Sequence, residues 1–175
     1  MKSNLFVITT VVLLAGCSAA IPTLHPMMMG VAPPSLSMFL PTIPGATNPD
    51  VTQANIHRTI CVSGWTARPN FRPPVSYTNA LKAQQMKALG LTGRLSSFEE
   101  DHLKPLELGG NPTSPLNLWP QPWAGKYNAH MKDHLENLLK RMVCNGTIPL
   151  VTAQNEIASN WITSYQKRIE NKPLP

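Results

Sequence analysis

The chain has 175 residues, a formal net charge of +6, 14% charged residues and 18 prolines. That length suits one domain with appendages, and sparse charge with abundant proline excludes a chain that is globular core from end to end. The positive balance fits a polyanionic partner such as nucleic acid but excludes little, because many exported proteins are basic.

The N-terminus reads as an address. Lys2 precedes an uncharged apolar run over residues 5–15, too short to span a bilayer as a helix and laid out like a secretory signal. The run ends in Leu14-Ala15-Gly16-Cys17, which resembles a bacterial lipobox. The resemblance implies a signal peptide over residues 1–17 and lipidation of Cys17, with simple secretion as the alternative. Several acyl chains would anchor stably, at roughly 0.8 kcal/mol per buried methylene. The expected setting is the bacterial cell envelope, with the membrane as a partner through the lipid. Ser18, where an aspartate would imply inner-membrane retention, points to the outer membrane.

Residues 18–49 contain no Lys, Arg, Asp or Glu, and Pro22, Pro26, Pro33, Pro34, Pro41, Pro44 and Pro49 break helices and central strands. Met27-Met28-Met29 reads as adaptable apolar chain rather than a copper site. The whole stretch is expected to be a semi-extended spacer.

A single α+β domain is expected over residues 50–175. Asp50 is placed to cap a short helix to Ile56, and Thr59-Ile60-Cys61-Val62 has the composition of a strand. Residues 64–74 form a loop carrying Trp65, Arg68, Phe71 and Arg72. Thr78 then starts a helix through Leu89 that Gly90 stops, with Leu81, Gln85, Met86 and Leu89 as its buried stripe. A second helix is expected from about Gly125 to Val143, with Met131, Leu135, Leu138, Leu139, Met142 and Val143 on one face. A third starts near Pro149 and buries Leu150, Ala153, Ile157, Trp161, Ile162 and Tyr165.

If Cys17 carries lipid, Cys61 and Cys144 are the remaining pair, and an exported chain puts them in an oxidising compartment. A disulfide is expected; two buried thiols or a metal pair are the alternatives, without any local Cys-x-x-Cys spacing to favour them.

The chemistry is concentrated in residues 99–122. Glu99-Glu100-Asp101-His102-Leu103-Lys104-Pro105 leads through Leu106-Glu107-Leu108 to Gly109-Gly110, and Asn117-Leu118-Trp119-Pro120-Gln121-Pro122 follows. Neighbouring strand residues point to opposite faces, so Asp101 and His102 can serve as carboxylate ligand and base. The glycine pair permits a sharp turn, and Asn117 has both a donor and an acceptor with which to clamp it.

DHLKPLELGG followed by NLWPQP resembles exported HNH proteins, the His-Me finger or ββα-metal nucleases, over most of residues 48–170. The resemblance implies a small ββα core with flanking helices and metal-dependent hydrolysis of DNA or RNA at the envelope. His102 would be the general base, Asn117 the structural asparagine and Asp101 a metal ligand. Mg²⁺ is the expected ion, with Mn²⁺, Zn²⁺ or Ni²⁺ as alternatives. The pattern departs at its third position, on the following helix, where the strict count lands on Lys126; Asn128 and then His130 are the expected second ligands, with His134 behind them. Lys104 and Lys132 are expected to contact phosphates. The alternative is an envelope lipoprotein that keeps an HNH-like fold without cleaving anything.

Overall fold

In the computed structural model the described residues are 40–171. The expected signal peptide, Cys17 and residues 18–39 of the spacer lie outside them. The described chain is of mixed α+β class: a two-stranded antiparallel sheet and three α-helices, with short 3₁₀ turns between.

The strands are β1, Phe98–His102, and β2, Leu118–Pro122, paired with Asp101 opposite Trp119 and His102 opposite Leu118. A two-stranded ribbon leaves each strand one free edge, which is why Pro120 and Pro122 are tolerated in β2. The turn between the strands is fixed by Asn117, which is fully buried. Its Oδ1 accepts from the Lys104 N–H at 2.8 Å, and its Nδ2 donates to the carbonyls of Lys104 and Asn111, both at 3.0 Å.

The glycine pair has two separate reasons. Gly109 has φ +74°, and a Cβ there would lie 2.7 Å from Val51. At Gly110 a Cβ would lie 1.7 Å from the Lys104 carbonyl oxygen, so the loop backbone closes on the strand end only because that side chain is missing.

The fold begins before residue 50. Gly45 and Ala46 donate to the Leu116 carbonyl, Asn48 donates to Gly109, and Thr47 bridges Gly110. The last residues of the proline-rich stretch are therefore laid against the hairpin turn.

The helices are α1, Val75–Ala88; α2, Ala129–Cys144; and α3, Leu150–Arg168. α1 starts a turn earlier than Thr78, at Pro74, and its buried side chains are Lys82 and Met86, whereas Leu89 is exposed. α2 starts at Asn128, whose side chain caps it, and buries Lys132 in line with Leu135, Leu139 and Val143. In α3 the expected stripe is buried, except that Tyr165 is only half-buried, and Asn160 leaves helical geometry (φ −163°) while its Oδ1 accepts from the Thr163 N–H.

The main core is the seam of α2 and α3, closed by Val51, Ile56, Ile60, Leu108 and Tyr127. Thr59–Val62 is not a strand. A 3₁₀ helix over Gln53–Arg58 runs into turns, with Cys61 N–H donating to Ile56 and the Thr59 hydroxyl donating to Asn55. The local bonds satisfied within this segment leave no edge for a sheet partner. Cys61 is bridged to Cys144, closing a sequence separation of 83. No helix among the described residues is long and apolar enough to cross a membrane.

Reducing that bridge is expected to remove about 4 kcal/mol of stability on the chain-entropy estimate, read as a lower urea midpoint for Cys61→Ser/Cys144→Ser than for the parent. Gly110→Ala is expected to cost upwards of about 3 kcal/mol, because the clash is with backbone rather than a flexible side chain.

Candidate active site

His102 ends β1 and lines a cleft of about 260 Å³ with Arg72, Glu99, Asp101, Asp133 and Glu136. Its Nε2 lies 2.9 Å from the carbonyl oxygen of Pro112. A carbonyl only accepts, so Nε2 carries the proton and the lone pair of the neutral ring is on Nδ1. No protein group among the described residues bonds Nδ1. Burial holds the His102 pKa below the ordinary histidine value, only partly offset by the Pro112 bond and Asp101. At neutral pH the ring is therefore an oriented base.

Asp101, one residue earlier, faces α2. Its Oδ2 accepts from Trp119 Nε1 at 2.8 Å and from Lys132 Nζ at 2.8 Å. The Lys132 ammonium also reaches Glu136 Oε1 at 2.5 Å and the His102 carbonyl at 2.9 Å. Burial alone would push the Lys132 pKa down, but the two carboxylates outweigh it and hold it above the ordinary lysine value. One ammonium cannot neutralise two buried carboxylates. The Glu136 pKa is pushed up by burial and by Asp101, against the opposing pull of Lys132. Glu99, on the same wall, is pushed up to about 7 by burial and by Asp101 and Asp133.

The residues expected from the sequence are only partly brought together. His102, Asp101 and Asn117 meet at the hairpin. Asn128 is occupied as a helix cap: its Oδ1 accepts from Met131 N–H at 3.1 Å and its Nδ2 donates to Gly125. His130 is 69% exposed, tilted against the Trp123 ring and 4.0 Å from Asp133. Lys104 lines a different groove, with Thr152, Asn155 and Glu156. Lys132 is fully buried and cannot contact substrate. Trp119 packs inside the fold.

The donor set that the sequence implied for a metal therefore does not converge: among the described residues no three His, Cys, Asp or Glu side chains are grouped to hold an ion. A cation added at Asp101 Oδ2 would also meet the Lys132 ammonium, at a cost on the order of 4 kcal/mol per unit of its charge at about 4 Å. Lys132, expected at the phosphates, is instead paired inside the fold with Glu136. The available signal was the spacing: Lys132 shares a face with Leu135 and Leu139, so it points into the fold, and Glu136 sits one turn on. Arg72 contributes a guanidinium to the cleft wall, with no ion pair or hydrogen bond among the described residues.

Comparison with known protein families, with curated proteins and with solved structures finds no match to this chain.

On the other side of β1, both carboxylate oxygens of Glu100 are buried without a hydrogen-bond partner. Burial pushes its pKa up to about 8, against the pull of Lys82. A carboxyl whose folded pKa lies above its unfolded value gives up stability as pH rises between the two. His102 has the opposite sign, but only below about 6.5, its ordinary value. The urea midpoint is thus expected to fall between pH 6.5 and 8, and Glu100→Gln is expected to flatten that slope. A slope unchanged by the substitution would show that Glu100 ionises normally.

Proposed function

We propose that β1, β2 and α2 form an HNH-like ββα core and that its cleft hydrolyses phosphodiesters of DNA or RNA. The observation that carries this reading is the His102–Pro112 bond, which fixes the tautomer and turns Nδ1 into a base at the cleft.

The chain's own groups divide the work. His102 Nδ1 takes a proton from water, the hydroxide oxygen attacks phosphorus, and the bond from phosphorus to the departing 3′ oxygen breaks. Arg72 is the cation free to meet a phosphate oxygen, and guanidinium suits that geometry. The protonated Glu99 carboxyl, on the same wall, returns a proton to the departing oxygen. Asn117 touches no substrate; it holds the backbone next to His102. The implied metal ligands do not converge, and Asp101 is held by the Lys132 ammonium instead. Base specificity is not expected, since no groove-reading module is visible in the sequence. The setting we propose is the cell envelope, with Cys17 as the lipid-bearing anchor and nucleic acid as the substrate.

Plasmid degradation by the mature chain tests this. His102→Ala is expected to lower the rate about 10²- to 10⁴-fold, as for loss of a positioned base. The rate is expected to rise with pH through a His102 pKa below 6.5 and to decline as Glu99 ionises near pH 7. Equal rates for the parent and His102→Ala would leave the alternative, an envelope lipoprotein that keeps the fold without the activity.

A further inference from the structure

The HNH resemblance implies a divalent cation beside Asp101, and the groups there are already satisfied by another cation. The Lys132 ammonium has three N–H donors, and each has its own oxygen: Asp101 Oδ2 at 2.8 Å, His102 O at 2.9 Å and Glu136 Oε1 at 2.5 Å. Asp101 Oδ2 takes a further bond from the Trp119 indole. The Lys132 side chain has no exposed surface. A magnesium or calcium ion would need carboxylate oxygens at roughly 2.0–2.6 Å, and it would have to take them from the ammonium that now holds them.

We propose that Lys132 is the resident cation of this site: it stands in place of the metal ion, and the chain binds no divalent ion at Asp101. Lys132 is a positioning residue. Completely enclosed, it meets no substrate, but one of its three bonds goes to the backbone carbonyl of His102. The next peptides are held by Asn117, through Leu103 N–H to its carbonyl and Lys104 N–H to its side chain. The base is therefore fixed from α2 on one side and from the turn on the other. Hydrolysis in the cleft, where it rests on the phosphodiesterase reading above, runs without added metal.

Two measurements on the full mature chain decide this, and only one depends on activity. In the first, Mn²⁺ is titrated into isotopically labelled protein. The backbone amides of Asp101, His102, Lys132 and Glu136 are expected to keep their line widths at equimolar ion. Lys132→Ala leaves two carboxylates facing one another without their cation, and is expected to gain Mn²⁺ broadening centred on Asp101 and Glu136. Localised broadening of those amides in the parent overturns the proposal, whether or not the chain cleaves anything. Should the variant not fold, the parent titration still gives the answer. In the second, the parent is stripped with chelator and assayed on plasmid. Its rate is expected to stay within about twofold; a fall of about tenfold or more that Mg²⁺ restores overturns the proposal. A parent inactive in every condition sinks the phosphodiesterase reading and leaves the Mn²⁺ result to judge Lys132.

Discussion

The buried ammonium of Lys132 is the point at which helix and hairpin are joined, and the shape of the cleft follows from it. Its three bonds run to a side chain of β1, to the last carbonyl of β1 and to the next turn of α2. Such a centre is a weak source of net stability, since taking the charges out of water costs about as much as their attraction returns. Its effect is on register. A one-residue slip of β1 would turn Asp101 to the opposite face, away from α2, and break its bonds to Lys132 and Trp119. The cluster thus ties β1 to this register against α2.

A two-stranded ribbon is marginal in water without backing, and here the backing is polar as well as apolar. From α1, Lys82 Nζ donates to the Phe98 carbonyl and Gln85 Nε2 donates to the Leu118 carbonyl, both at 2.8 Å. From α2, Lys132 does the same at His102. Long side chains from two helices therefore satisfy strand carbonyls that a larger sheet would pair with further strands. The apolar core lies mainly elsewhere, between α2 and α3, with Trp161, Ile157 and Leu139 fully enclosed. The cleft residues are in this way freed from packing duties and can carry charge.

Much of this was legible from residue order. The helices Ala129–Cys144 and Leu150–Arg168 declared themselves by apolar spacing, although the first starts four residues after Gly125; the disulfide followed by elimination, and the turn from two glycines and an asparagine. The strand expected at Thr59–Val62 failed because β-branched residues were read without the local hydrogen bonds that Asn55 and Ile56 provide. The start of α1 was missed because Pro74 and Val75 are poor helix signals that the tertiary context overrides. The larger lapse concerned Lys132. A lysine on an amphipathic helix reads as solvent-facing by default, and only its alignment with Leu135 and Leu139 says otherwise. Asn128, expected as a ligand, is a cap because it stands immediately before the first helical residue. Residue order does not reveal that Arg72 meets the His102 cleft, because the path of a loop brings it there.

The bridge between Cys61 and Cys144 makes a covalent ring of the chain from one to the other, and α1, both strands and all of α2 lie on that ring. A single cut anywhere inside it opens the ring without releasing a fragment. Protease nicking at an exposed turn such as the one around Gly90 would leave one molecule of unchanged mass, apart from an added water, until a reductant separates the halves. That topology separates damage to the backbone from loss of the assembled cleft.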